Sequence, residues 1–203
     1  MTECFAVLTM VFAFMSTTIY CVQVRRGKIR PVLATWVIFS VANILSLLSY
    51  FSDGSKPHTI VDAAANIVWA FASTISLVFV YRWHVGERRF EPAHLWCLGA
   101  AFVATLFWAL SNDAFAANIA FQCVMVAAYV ATCHRLWGAV ENTEPVSAWL
   151  AGLAASMTGA VAPLLHGDTL GVIYNVRGIV CTLAALFLML RLKIRNGRFE
   201  STR

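Results

Sequence analysis

Several polar side chains interrupt long apolar runs of this sequence, and their types and positions could do chemistry. Asn66 and Asn175 each lie within such a run, and Arg177 follows Asn175 by two residues. Asp62 precedes Asn66 by one helical turn, and Trp69, which could offer a flat face to a ring, follows it by three residues. Amides, a guanidinium and a carboxylate are costly to bury among apolar residues, so they indicate bonded partners or a ligand. The pattern favours recognition of a polar solute.

Three further side chains belong to the same set of candidate ligand contacts. Asn118 and Gln122 are four residues apart, so a helix places both on one face. Tyr174 lies three residues before Arg177 and shares its face. Amide bridges between neighbouring helices would explain Asn118 and Gln122 equally well, and both interpretations stay open.

The sequence argues against covalent catalysis, photochemistry and electron transfer. The apolar runs contain no HExxH motif, no nucleophile–base pair and no paired carboxylates, so an enzyme is not expected. The three lysines, Lys28, Lys56 and Lys193, lie in loops or at run ends, which argues against a retinal Schiff base in the last run. The histidines also lie at run ends, so no haem, metal or other cofactor is expected.

Composition indicates a membrane protein. Of the 203 residues 60% are hydrophobic and 12% charged, whereas soluble domains carry roughly 25% charged residues. The formal net charge of +5 comes from short basic clusters between apolar runs, a pattern typical of the cytoplasmic edge of a membrane protein. Phosphate-binding motifs are absent from the sequence. We therefore predict one membrane domain and no nucleic-acid partner.

Seven apolar runs are long enough to cross a bilayer as helices, which takes about 20 residues each. The predicted spans are Cys4–Val24, Pro31–Phe51, Thr59–Arg82, His94–Ser111, Asp113–Cys133, Val146–Leu165 and Thr169–Leu192. The first run lacks the basic start and cleavage site of a signal peptide, so we expect it to remain in the mature protein. The predicted fold is an all-α bundle of seven transmembrane helices.

Basic residues set the expected orientation of this bundle. Thirteen of the 15 Lys and Arg residues lie in the loops after spans one, three and five and in the C-terminal tail. Lys56 alone lies on the other side, and Arg177 is within the last span. The N-terminus is therefore expected outside and the C-terminus in the cytoplasm, with the protein in the inner (plasma) membrane of the cell. Trp36 and Trp149 are expected to be interfacial belt residues rather than a gate.

An internal repeat divides the chain. A shift of 109 residues superposes Tyr20 on Tyr129, Arg26 on Arg135, Asn66 on Asn175 and Arg82 on Arg191. A slip of four residues in the middle also brings Trp36 onto Trp149. The single intervening span makes the two three-helix units parallel. The predicted organisation is a first repeat with its loop over 1–93, a linker helix over 94–112, a second repeat over 113–192 and a basic cytoplasmic tail over 193–203.

This three-plus-one-plus-three arrangement, with its N-terminus outside, resembles the SWEET/PQ-loop transporter superfamily. Asn66 and Asn175 match the asparagine that SWEET-type repeats carry in their third helix. The stretch Val22–Trp36, with Lys28 and Pro31, is similar to the basic loop after the Pro-Gln position, although that dipeptide does not occur here. The resemblance implies a transporter that rocks two repeats around a midplane site. The KDEL receptor, another member, implies a non-transporting receptor or scaffold as the alternative.

The expected site lies where the two repeats meet. At a rise of 1.5 Å per residue, Asn66 and Asn175 lie at nearly the same depth, roughly 10 Å and 9 Å from the outer ends of their spans. We expect both amides to face one central cavity for a small polar solute, with interhelical hydrogen bonds as the alternative. Arg177 either pairs with Asp62 or Asp113 or contacts an anionic or carboxylate-bearing solute. Membrane lipid is the other expected partner, and formation of a homo-oligomer stays open.

The orientation is tested with reporters at the two ends of the chain. A reporter fused after Arg203 should be cytoplasmic, and a tag before Thr2 should be reached by an impermeant reagent from outside, because the basic loops stay on the cytoplasmic side. Protease protection in intact cells measures both. A C-terminus accessible from outside would contradict the predicted seven-span topology.

Overall fold

The computed structural model describes residues 1–29, 31–54, 58–83 and 92–200. Within these ranges the chain is helical and contains no strand. The helices are α1 (Thr2–Arg25), α2 (Leu33–Ser52), α3 (Ala64–Trp83), α4 (Pro92–Ser111), α5 (Ala114–Gly138), α6 (Val146–Gly159), α7 (Val161–His166) and α8 (Thr169–Glu200). Helices α6 and α7 form one span, Val146–His166, because Ala160 between them keeps right-handed helical dihedrals.

Seven helices in the described part of the chain are long and apolar enough to cross a membrane, with mean hydropathies between 1.5 and 1.9. Their outward faces are apolar: Phe71, Phe102 and Leu110 are 62%, 70% and 79% exposed. Large apolar side chains on every outer face would be unfavourable in water but match lipid. The chain therefore has the architecture of a multi-pass membrane protein. Lys56 and Arg203, which entered the orientation argument, lie outside the described residues.

Three helix ends differ from the expected boundaries. Helix α3 begins at Ala64 rather than Thr59, because Thr59 Oγ1 accepts from the Asp62 amide at 3.1 Å and holds the preceding segment as a turn. Helix α5 continues past Cys133 to Gly138, and α8 continues past Leu192 to Glu200. Apolar runs indicate membrane depth, whereas backbone hydrogen bonds continue into the polar interface until a breaker occurs.

The helices pack in two similar groups of three. Helix α3 contacts both α1 and α2, and α8 contacts both α5 and α6. Between the groups, α1 packs on α6 and α2 packs on α5. Helix α4 lies outside both groups, against α5 and α2. All six of these grouped helices therefore surround the region in which a central site could form.

The two ends of the bundle differ in their side chains. At one end Tyr20, Leu33, Val80 and Ala148 form a buried cluster that joins α1, α2, α3 and α6. We call this the basic end, because Arg25, Arg82 and Arg135 lie in the last turns of their helices there. At the opposite end, a cluster formed by Tyr50, Ala63 and Leu170 joins α2, the start of α3 and α8.

Gly159 permits a close approach between the two groups. A Cβ atom at this position would lie 2.7 Å from Asn175 Oδ1, 2.9 Å from Ala65 Cβ and 3.2 Å from Thr9 Cγ2. These atoms belong to α8, α3 and α1, so the missing side chain brings four helices together. A residue without a side chain is required here for packing, as is common where membrane helices approach closely.

Substitution of Gly159 by alanine should therefore destabilise the protein. The added methyl group overpacks the junction at a cost of about 1–3 kcal/mol. The matched control is Gly99→Ala in α4, where a Cβ atom meets nothing within 4 Å, and helix propensity should make it neutral or slightly stabilising. Thermal unfolding in detergent measures both variants. Equal melting temperatures would show that the junction is not tightly packed.

Candidate functional site

A partly open cavity lies between the two groups of helices, with about 780 Å³ of atom-free space that includes the solvent at its mouth. Its described lining is dominated by seven aromatic side chains: Tyr20, Trp36, Phe39, Trp69, Tyr129, Trp149 and Tyr174. Small polar groups are interspersed among them: Ser16, Thr17, Asn43, Ser73, Ser156 and Thr182. Arg177 is the charged side chain of this lining, among the residues that the structure describes.

The cavity occupies the half of the bundle nearer the basic end. Helix α1 contributes residues 16, 17 and 20 from its second half, and α2 contributes residues 36, 39 and 43 from its start to its middle. The cavity is partly open rather than sealed. Arg177 is the ninth residue of α8, about 12 Å along that helix from its start at the opposite end. The cavity therefore reaches from the basic end to about mid-depth.

Aromatic contacts form a collar near the basic end of the cavity. The rings of Tyr20 and Trp36 lie 4.7 Å apart, and Trp36 Nε1 donates to the Tyr20 hydroxyl at 3.0 Å. On the other side, Tyr129 and Trp149 lie 5.9 Å apart. Phe39 joins the two sides through Tyr129 at 4.8 Å. Trp36 and Trp149, expected as belt residues, thus belong to the cavity lining.

Arg177 is held by neutral partners. Its Nε donates to Gln122 Oε1 at 2.8 Å, and its guanidinium carbon lies 4.8 Å from the centre of the Tyr174 ring. The Tyr174 hydroxyl in turn donates to Asn43 Oδ1 at 2.9 Å. None of the salt bridges between described residues includes Arg177.

The expected acidic partners of Arg177 are engaged elsewhere, so the ion-pair interpretation is corrected. Asp62 Oδ1 lies 2.7 Å from His166 Nδ1 and Asp62 Oδ2 accepts from Thr59 Oγ1 at 2.6 Å. Asp113 accepts from the Ala116 amide at 2.9 Å and caps the start of α5. Both carboxylates belong to the opposite end of the bundle, where helix termini and loops supply partners.

Asn118 and Gln122 form an amide bridge between α5 and α2. Gln122 Nε2 donates to Ser46 Oγ at 2.8 Å and to Asn118 Oδ1 at 3.1 Å. Asn118 Nδ2 donates to the Ser46 carbonyl at 2.8 Å and to Ser49 Oγ at 3.0 Å. Neither amide lines the cavity, but Gln122 touches the site through Arg177. Of the two interpretations given for these residues, ligand contact and interhelical amide bridge, the geometry matches the bridge.

Asn66 and Asn175 are buried outside the cavity, which differs from the expectation that both face it. Asn175 Nδ2 donates to the Gly171 carbonyl at 2.8 Å within its own helix, and its Oδ1 faces the glycine junction at Gly159. Both Oδ1 atoms lack a described hydrogen-bond partner. The two residues were expected together because they lie at equal depth in the bundle. The rotation of each helix about its own axis, which the sequence does not supply, places both side chains outside the cavity.

Polar contacts close the opposite end of the bundle. Besides the Asp62–His166 pair, the Tyr50 hydroxyl donates to Asp168 Oδ2. His58 Nδ1 lies 3.7 Å from Asp168 Oδ1, and its Nε2 lies 3.5 Å from Asp53 Oδ2. We call this set of six residues the acid–histidine closure. Among these six residues, only Asp62 was predicted from the sequence as a site residue. The grouping of acids and histidines in two loops on the same side of the bundle could have indicated the others.

A second buried acid lies near the collar. Glu144, in the loop between α5 and α6, lies 2.5 Å from Arg135 and accepts from Trp149 Nε1 at 3.3 Å. Burial raises the pKa of the Glu144 carboxyl, and Arg135 opposes that rise only partly. Because Trp149 also lines the cavity, this loop positions one side of the collar.

Of the eight expected site residues, Trp69, Tyr174 and Arg177 line the cavity, whereas Asn66, Asn175, Asp62, Asn118 and Gln122 do not. Sequence reasoning missed Tyr20 and Tyr129 as site residues, although they had already been matched as repeat partners. No known protein family matches the chain. No curated protein matches it either.

Tyr50→Phe should weaken the acid–histidine closure. The variant keeps the ring, which is fully buried, but leaves Asp168 without its hydroxyl donor, and loss of one buried hydrogen bond to a charged group costs about 1–3 kcal/mol. The matched control is Tyr81→Phe, whose side chain is 64% exposed. Thermal unfolding should separate the two. An unchanged melting temperature for Tyr50→Phe would mean that this contact does not stabilise the closed end.

Proposed function

We propose that the chain is an integral membrane transporter that moves a small polar solute by alternating access between two three-helix repeats. The observation that carries the proposal is the symmetry of the cavity lining. Three lining pairs are 109 residues apart: Tyr20 and Tyr129, Trp69 and Gly178, and Ser73 and Thr182. Three more are 113 apart: Trp36 and Trp149, Phe39 and Gly152, and Asn43 and Ser156. The offset of 113 residues equals the 109-residue shift of the internal repeat plus its four-residue slip.

Helix packing supports the same repeat. The relation exchanges α1 with α5, α2 with α6 and α3 with α8, and under it the contact of α1 with α6 becomes that of α5 with α2. The contacts of α3 with α1 and α2 become those of α8 with α5 and α6. Two parallel units about an axis along the membrane normal would have this pattern, and transporters often place their site at such an interface.

The unequal ends of the cavity support alternating access. The acid–histidine closure joins the repeats at the opposite end, since Asp62 belongs to the first unit and His166 to the second. At the basic end the two units meet through the aromatic collar, beside an open cavity. If the basic end lies in the cytoplasm, as the basic loops predict, this arrangement would be an inward-facing state. Rocking of the units would break the closure and bring the collar together.

Access to the cavity tests this mechanism. Ser156→Cys, in a background with the six native cysteines replaced, should react with an impermeant maleimide from the basic side only. Adding Asp62→Asn and His166→Gln removes one contact of the closure, so reaction from the opposite side should rise several-fold. Ser111→Cys, exposed at the opposite end of α4, serves as the sidedness control.

The result also separates a transporter from a receptor or scaffold on the same fold. If Ser156→Cys stays unreactive from the opposite side while Ser111→Cys reacts there, the closure does not control access. The cavity would then be one-sided, as a non-transporting receptor requires, and the transport proposal would fail.

A further inference from the structure

The cavity contains a positive charge without a described counter-charge. The guanidinium of Arg177 contacts Gln122 Oε1 and the Tyr174 ring, both uncharged, and the described cavity lining contributes no carboxylate. A guanidinium at mid-depth of a bilayer is costly unless it is paired or hydrogen-bonded. A negative group in the cavity would offset this cost. A positively charged solute would add repulsion and find no ionic partner there.

The remainder of the lining favours a flat ring. Seven of the described lining side chains are aromatic, and rings stack or meet edge to face at separations of roughly 4.5–7 Å. The indole of Trp69 packs against Gly152, since its Cη2 lies 3.4 Å from where a Cβ of Gly152 would be, an ordinary van der Waals separation. A saturated chain would fill the same volume without these ring contacts.

We propose that the cavity binds a planar ring compound that carries a single negative charge, as an aromatic carboxylate does. Arg177 pairs with the anionic group, while the aromatic side chains contact the ring. The proposal rests on the proposed function only in taking this cavity as the solute site.

Gln122 is the positioning residue for this contact. Its Oε1 accepts from Arg177 Nε, and its Nε2 is held by Ser46 Oγ at 2.8 Å, so the amide cannot turn freely. With Nε engaged by Gln122, a carboxylate would be met by the terminal nitrogens of the guanidinium, which lies beside the Tyr174 side chain. A glutamate at this position would keep the size of the side chain but would neutralise Arg177 from within the protein.

The substrate class is tested by isothermal titration of the purified full-length protein with four probes. Benzoate carries ring and charge, benzamide the ring alone, benzylamine a ring with opposite charge, and acetate the charge alone. Benzoate should bind at least about tenfold more tightly than each of the others, the difference expected for a charge-assisted hydrogen bond. Benzamide or benzylamine binding as tightly as benzoate would overturn the anionic class. Acetate binding as tightly as benzoate would overturn the requirement for a ring. No binding by any of the four probes would overturn the proposal as a whole.

Variants assign the effect to Arg177. Arg177→Gln and Gln122→Glu should each weaken benzoate binding about tenfold or more while leaving benzamide unchanged, and Arg25→Gln, which removes an exposed charge at the end of α1, should change neither. Arg177→Lys keeps the charge and should bind benzoate at an intermediate level, which covers the case that Arg177→Gln does not fold. Folding is checked by melting temperature. Benzoate binding that is unchanged in folded Gln122→Glu and Arg177→Lys proteins would overturn the assignment.

Flux measurements keep this proposal separate from the transport mechanism. Liposomes that contain the protein should release trapped labelled benzoate faster than empty liposomes, and Arg177→Gln should slow the release. Arg177-dependent binding without flux would support the substrate class and refute transport. Flux of benzamide equal to that of benzoate would support transport and overturn the anionic class.

Discussion

The architecture depends on how one guanidinium is accommodated at mid-depth of an apolar bundle. Arg177 cannot be left unpartnered there, because burial of a charge without hydrogen bonds costs several kcal/mol. The structure supplies a neutral acceptor, Gln122 Oε1, and an aromatic face, Tyr174, rather than a carboxylate. Neutral partners hold the side chain in position without cancelling its charge. A buried ion pair would have satisfied Arg177 but left nothing for a solute to bind.

Among the described residues, the ion pairs that join the two units lie at the opposite end of the bundle, away from the aromatic collar. Acids and histidines meet at the opposite end, where Asp62 pairs with His166 and Tyr50 donates to Asp168. The half nearer the basic end instead has rings and small hydroxyl groups around an open volume. Aromatic rings keep van der Waals contact when a neighbouring ring shifts, because that contact is not directional. A hydrogen bond is lost over a short displacement, because it depends steeply on distance and angle. In the proposed transport cycle, the opposite end would open in a discrete step and the collar would close over the solute.

The seven spans were predictable from the sequence because apolar length and hydropathy report directly on membrane depth. The prominence of Arg177 was predictable for the same reason, since its burial cost is large wherever it points. Helix rotation was not predictable, and it decides that Asn175 packs beside Gly159 and that Asn66 is buried outside the cavity. Small residues carry little signal in a sequence, yet the glycine at 159 sets how closely α6, α8, α1 and α3 approach. The offset that relates Tyr20 to Tyr129 held more information about the lining than did polarity.

The hydrogen-bond chain behind Arg177 gives solute binding a physical route to the interface between the repeats. Gln122 bonds to Arg177 on one side and to Ser46 and Asn118 on the other, and these contacts join α5 of one unit to α2 of the other. An anion that draws the guanidinium toward the cavity competes with Gln122 for it. Any change at Gln122 then alters hydrogen bonds that hold the two units together. Binding energy at the site would therefore act on the interface that moves in the proposed mechanism, which is the differential interaction that a ligand-driven shift requires.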